Sequence, residues 1–142
     1  MKLEQIHTIP DPYAPFLLSQ AIRAGDLLYL SGQAGAGAGD DGGIVGDGDF
    51  DSQANQAFLN LERALRAGGS DLEHVIKVTI FLTSMSNYAN VVKLRRKWFS
   101  PPYPADTIVE VSALYTPEAH IEIEAIAVVR ETGQGASRMD SW

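Results

Sequence analysis

The stretch PPYPADTIVEVSALYTPEAHIEIEAIAVV, Pro101–Val129, decides how this chain folds. It holds two runs rich in β-branched and apolar residues, Thr107–Leu114 and His120–Val129, joined through Thr116, Pro117 and Glu118. Apolar runs bounded by turn signals predict an antiparallel pair of strands. In the second run Ile121, Ile123, Ala125, Ala127 and Val129 share one face, and Glu122, Glu124, Ile126, Val128 and Arg130 the other. From Ala125 onward both faces are apolar, which predicts a strand covered on both sides. Glu122 and Glu124 then share one face of a mostly buried strand. Desolvation raises a carboxyl pKa there unless a cation is near, which makes such a group a candidate acid or base. Satisfaction by backbone amides or an arginine accounts for it equally.

Outward from this stretch, SPPYP stops a helix over Asn87–Phe99 that Ser86 caps. Its expected buried stripe is Tyr88, Val91, Val92, Trp98 and Phe99, and KLRRK, Lys93–Lys97, reads as a solvated face. Val75–Thr83 reads as a strand with Ile76, Val78, Ile80 and Leu82 on one side. Before it lies the clearest helix: Asp51 or Ser52 caps it, Ala54, Phe58, Leu61 and Leu65 recur at helical spacing, and Gly68-Gly69 ends it. Gln53, Asn55, Asn60, Glu62, Arg63 and Arg66 make its polar face. Leu17–Ala24 and Asp26–Leu30 read as a hairpin around Gly25, and Leu3–Ile9 as a first strand followed by a turn segment set by Pro10, Pro12 and Pro15. One domain over residues 1–130 is expected, with Glu131–Trp142 a polar, flexible tail.

The glycine- and aspartate-rich segment 34–49 reads as a loop, with a short strand at Ile44-Val45, and carries two misleading motifs. Gly37–Gly42 matches GxGxxG, but it opens no helix and its aspartates repel a pyrophosphate. Asp47, Asp49 and Asp51 match the start of a calcium loop, yet Ser52 and Phe58 stand where its glycine and glutamate belong. An acidic hairpin loop is the reading kept.

The net charge of −7 argues against a nucleic-acid binder working through a general basic surface. With no cysteine, disulfides and thiolate chemistry are excluded. No signal-like or membrane-spanning run is evident, so a cytoplasmic address is expected. His7, His74 and His120 are too scattered for a metal site; His120, on the same side of its strand as Glu122, suits a salt-linked surface pair. The order strands, helix, strand, helix, strands predicts an α+β domain with two helices on one face of a single sheet. Its second face is apolar, which implies burial against another subunit and hence an oligomer.

Four stretches together resemble the RidA/YjgF family: SQAIRAGDLLYLSGQAG (Ser19–Gly35), AFLNLERALRAGG (Ala57–Gly69), HVIKVTIFLTSMSNYANV (His74–Val91) and ADTIVEVSAL…IEIEAIAVV (Ala105–Val129). The resemblance implies a chorismate-mutase-like α+β fold, a homotrimer whose sheets form a central barrel, and ligand clefts between subunits. It also implies a cofactor-free, metal-free deaminase that hydrolyses reactive enamines and imines to 2-oxo acids and ammonia. The water-positioning glutamate of the family falls on Glu122, the expected catalytic residue. The serine and glycine of the SGQ motif are Ser31 and Gly32. The position of the carboxylate-binding arginine, third in a PARS-like turn, is Asp106 in PADT, followed by Thr107 and Ile108. Leu18 stands for the tyrosine before SQA, and Val92 for the asparagine of the second helix. Leu18, Ser31, Gly32, Asp106, Thr107 and Ile108 are thus the expected substrate-binding positions. SPPYP resembles the YjgH-like subgroup, which also lacks the arginine.

Losing a guanidinium–carboxylate bond costs about 1.5–3 kcal/mol. A carboxylate in its place brings the swing to roughly 3–5 kcal/mol, or about 10²–10⁴ in binding or rate. Three ways around this are Asp106 pointing away, Arg23 or Arg95 serving instead, or a substrate without a carboxylate, such as one carrying an amine. The readings carried forward are a deaminase of altered substrate range, a non-catalytic trimer binding small metabolites or proteins, and the endoribonuclease activity of some relatives.

Overall fold

The alternating IEIEAIAV run lies inside a six-stranded sheet in a computed structural model, which describes residues 1–37, 42–46 and 48–130. The elements are β1 Leu3–Ile6, β2 Ala21–Ala24, β3 Leu27–Ala34, α1 Phe50–Ala67, β4 Val75–Leu82, α2 Tyr88–Trp98, β5 Ala105–Glu110 and β6 Ile121–Val128. Short 3-10 turns cover Ala14–Phe16, Leu72–His74 and Met85–Asn87. The sheet order is β1-β2-β3-β6-β4-β5, antiparallel throughout except for the parallel pair β4–β5.

The expected hairpin of the last two strands does not form. β5 ends at Glu110 and pairs in parallel with β4, while β6 enters between β3 and β4. Helix α2 links β4 to β5, and a parallel pair requires such a crossover. The ten residues 111–120 then carry the chain across β4 to its place beside β3.

Both helices cover one face of the sheet. Ile121, Ile123, Ala125 and Ala127 of β6, Leu28 and Leu30 of β3, and Val78, Ile80 and Leu82 of β4 meet Phe58, Leu61 and Leu65 of α1 and Val91 and Leu94 of α2 in one core. The other face is uncovered in the single chain: Tyr29 and Val109 are exposed, and Ile126 and Val128 are half-buried. Coverage of β6 on both sides is therefore not a property of one chain. No helix among the described residues is long and apolar enough to cross a membrane.

Several local expectations are corrected. Ile76 lies in a register shift between Val75 and Lys77 and is exposed, so Val75 takes its place in the core. The hairpin turn at Gly25, where φ is +62°, forms as expected, but β2 starts at Ala21, because residues 13–17 make a turn ending with Leu17 at φ 62°. α1 begins a turn early: Asp49, rather than Asp51 or Ser52, is its N-cap and accepts from the Ser52 amide and, at 2.7 Å, from Ser52 Oγ. Ser84 caps the 3-10 turn that precedes α2, in place of Ser86. In α2 Tyr88 and Val92 are exposed, and Leu94 joins Val91 in the core. Of the segment Ile44-Val45 only a bridge forms, Ile44 to Ala36. Most of the GxGxxG stretch, Asp47 of the calcium-like triplet and the tail 131–142 lie outside the described residues.

Three residues assigned to the polar face of α1 instead fasten other segments. Gln53 is fully buried, donates to the Glu118 carbonyl at 3.0 Å and accepts from the His120 amide. Asn60 donates to the carbonyls of Ala34 and Ala36, and Asn55 accepts from Trp98 and Lys97. Gln53→Ala is expected to cost about 1–3 kcal/mol, because it strands a buried donor and acceptor. Urea unfolding reads that loss, and no change would show that water substitutes fully at this site.

Candidate functional site

The register of β3 against β6 slips between Leu30 and Gln33, leaving Ser31 and Gly32 without Cα partners on β6. A bulge of this kind redirects the backbone and its side chains. Ser31 Oγ donates to the Ser19 carbonyl at 2.6 Å, and the Gly32 carbonyl accepts from the Tyr13 hydroxyl. Glu122 lies directly against Gly32: a Cβ on Gly32 would overlap Oε1 and stand 2.9 Å from Cδ. The missing side chain at residue 32 is therefore what admits the carboxylate.

The electrostatics of this cluster favour neutral groups. Partial burial raises the Glu122 pKa, and the charge of Glu124 on the same face of β6 raises it further. Burial, then the charge of Glu122, pushes the Tyr13 phenol well above its ordinary value; Arg63 pulls the other way. The Tyr115 phenol is raised by the same two causes, with Glu118 adding to them. Both tyrosines therefore stay protonated near neutral pH as hydrogen-bond donors. A half-buried carboxyl of raised pKa next to them is suited to take a proton from water and return it.

The expected site residues divide into two groups. Glu122, Gly32 and Ser31 come together, with Leu18 half-exposed on the turn that also carries Tyr13. Asp106 and Ile108 belong elsewhere. In register Asp106 matches Val78, and Val78 matches the buried Ala125, so its side chain is on the helix-covered face, opposite Glu122. Ile108 packs on the core there. Thr107 is on the Glu122 face, in line with Thr79 and Glu124, and accepts from Lys77 Nζ at 2.7 Å.

The Asp106 carboxylate is not free. Arg95 of α2 holds it bidentately, Nε to Oδ2 and Nη2 to Oδ1, each at 2.8 Å. Burial works against the Arg95 charge, but Asp106 and the Tyr88 phenol outweigh it and raise the guanidinium pKa. The guanidinium also lies 5.8 Å from the Tyr88 ring centroid. Two expectations fall here: the KLRRK run is not wholly a solvated face, and Asp106 offers no unpaired charge for an amine. Between α2 and β5 this pair lines a cleft of about 500 Å³. His120 also departs from expectation, since its Nδ1 is 3.0 Å from Thr83 Oγ1 and it makes no ion pair with Glu122 among the described residues.

Tyr13 and Tyr115 escaped the sequence reading. Their only signal was an aromatic residue within a proline-marked turn, DPYAP and LYTP, which does not reveal proximity to Glu122. Gly32→Ala is expected to displace the Glu122 carboxylate and lower any activity that depends on it, while changing stability by less than about 1 kcal/mol, because the clash falls on the far end of a side chain. Activity and urea midpoint measured together separate this from a general loss of fold.

Comparison with known proteins completes the picture. The family model described as endoribonuclease L-PSP matches residues 8–129. RutC family protein y4sK of Sinorhizobium fredii is 38% identical over 129 residues, covering 87% of this chain and 96% of the relative. A protein of Dermatophagoides farinae named 2-iminobutanoate/2-iminopropanoate deaminase is 32% identical over 120 residues, covering 84% of this chain and 90% of its own. Among solved structures, the Rid-family protein YyfA from Yersinia pestis superposes with a TM-score of 0.82 at 35% identity, covering 90% of this chain and all of that one. With a mixed sheet backed by two helices and this extent of matching sequence, the chain belongs to the endoribonuclease L-PSP family, the family of the RidA and YjgF proteins.

Proposed function

We propose that this protein is a cofactor-independent deaminase that hydrolyses a small enamine or imine in a cleft between subunits of a homotrimer, in the cytoplasm. The observation that carries the reading is Glu122: a half-buried carboxyl of raised pKa, seated against Gly32, whose carbonyl accepts from Tyr13, and close enough for its charge to act on the Tyr13 and Tyr115 phenols. Relatives named 2-iminobutanoate/2-iminopropanoate deaminase, in a mite and in the mouse, support the reaction class. Glu122 takes a proton from water as the oxygen attacks the C=N carbon. The carboxyl returns that proton to the nitrogen, giving a carbinolamine. The hydroxyl proton then passes to the nitrogen as the C–N bond breaks, so ammonia leaves with both protons of the water and a 2-oxo acid remains. Backbone amides near Gly32 and Ile108 are the proposed polarising groups.

Because Asp106 and Glu122 lie on opposite faces of one chain, a cleft containing both needs a second chain, which favours the trimer. Asp106 at the position of the family arginine points to an altered substrate range. One observation favours a non-catalytic binding trimer instead: the guanidinium nearest that position is already engaged by Asp106. The test is hydrolysis of 2-iminopropanoate, generated by an amino-acid oxidase and competed with semicarbazide. Glu122→Gln is expected to lower the catalysed rate by about 10²–10⁴. If the wild type shows no rate above the uncatalysed one, the binding trimer is the better reading.

A further inference from the structure

The cleft between α2 and β5 has a composition that neither Asp106 nor the short acids of the named relatives explain. Its walls carry three rings, Tyr88, Phe99 and Tyr103, and three charges, Arg95, Arg96 and Asp106. Asp106 engages only Nε and Nη2 of Arg95. A guanidinium carries five N–H donors; the Tyr88 phenol takes a further share of this one, and the donors left over are open to other acceptors. Arg96 is exposed and makes no ion pair among the described residues. Two cations against one anion leave the cleft with a surplus of one positive charge.

Asp106 therefore acts on Arg95 as an orienting group. It fixes the plane of the guanidinium from one edge, and Tyr88 lies 5.8 Å from its carbon. A planar cation held in this way binds a carboxylate with little further loss of side-chain freedom. At about 500 Å³ the cleft is in the range that takes ligands well beyond a four-carbon acid. Tyr103 is 53% exposed and Tyr88 45%, so both offer ring surface to an apolar body, Tyr88 on the side away from the guanidinium that lies over it.

We infer that this cleft takes an aryl-substituted carboxylic acid, its carboxylate on Arg95 and Arg96 and its ring among Tyr88, Phe99 and Tyr103. The inference deepens the deaminase reading and rests on it for the reaction and for the second chain that brings Glu122 to this cleft, because Glu122 of the same chain is on the opposite face. It names the substrate class as the 2-imino acid with an aromatic side chain. It also reverses the preference that the residue at position 106 suggests by itself, since the acid, and not the amine, is favoured.

The test is a calorimetric titration of the full chain with three probes: 3-phenylpropanoate, 3-phenylpropylamine and propanoate. The acid with the ring is expected to bind at least about tenfold more tightly than either of the others. Arg95→Gln is expected to weaken it by about tenfold or more, while Asp106→Asn, whose amide oxygen still accepts from Arg95 and orients it but no longer offsets its charge, leaves binding equal or tighter. Arg95→Gln also strands Asp106, so the Asp106→Asn result stands as the independent check if the first variant folds poorly. Equal binding of amine and acid, equal binding of propanoate, or loss of acid binding in Asp106→Asn would each overturn the inference. Turnover in Glu122→Gln is scored separately. Tight binding of the aryl acid with turnover unaffected by Glu122→Gln rejects the deaminase reading alone, and the reverse pattern rejects the cleft assignment alone.

Discussion

Replacing Phe58 with alanine is expected to cost about 3–5 kcal/mol of folding stability, the range for truncating a fully buried aromatic side chain. Phe58 has no exposed surface and joins the two helices: its ring stacks on Trp98 at 5.5 Å and meets Phe99 edge-on at 5.6 Å. Removing it leaves a cavity between α1 and α2 and takes away the contact that orients Trp98. Against a typical domain stability of about 5–15 kcal/mol, such a loss is a large share. Leu59, its neighbour on α1, is 46% exposed, and Leu59→Ala is expected to change stability by less than about 1 kcal/mol. Urea midpoints compared at one protein concentration decide the matter, since stability in an oligomer depends on concentration. Equal losses from the two variants would show that Phe58 is not packed in the core as the structure has it.

If the chain assembles as the proposed homotrimer, Tyr29→Asp is expected to split it and leave a folded single chain. Tyr29 is on the uncovered face of β3, in register with Ile22 on one side and Ile126 on the other, and is 47% exposed. A carboxylate there is solvated in the monomer, so the fold tolerates it. Buried against another subunit it is an unpaired charge, with a penalty of several kcal/mol, which weakens association by about 10³ or more. Light scattering reads the mass, and circular dichroism confirms the fold. An assembly of unchanged mass would place the subunit contact elsewhere, and a wild-type monomer would remove the inter-subunit cleft from the proposed function.

The residues that alternate or recur with a period were legible before the structure. Ile121 to Ala127 gave the inner face of β6, and Ala54, Phe58, Leu61 and Leu65 the inner face of α1, because both patterns arise from local geometry. Pairing between strands is not local. Thr107–Leu114 was followed by a turn and a strand, which suggested a hairpin, yet the strand–helix–strand order from Val75 to Glu110 already suited a parallel crossover, and that pairing is the one formed. Polarity misled at Gln53, which looked solvated and is buried, because a side-chain amide that finds both partners is at home in a core. At the candidate site, the strand pattern singles out Glu122 and the family resemblance Gly32, and the fold sets the two against each other. The charge balance at Asp106 was not, since its partner Arg95 is eleven residues away on another element and no periodicity links them.

The pH dependence of 2-iminopropanoate hydrolysis tests the role of Glu122 most directly. A general base must be ionised, so the rate is lost as pH falls through the pKa of Glu122. Burial and the charge of Glu124 have raised that pKa above the ordinary carboxylate value. The expected profile for the wild type has its acid limb displaced upward from that value, and Glu122→Gln retains only a slow rate without that limb. A rate that keeps the same acid limb after Glu122→Gln would contradict the assignment of Glu122 as the group that activates water.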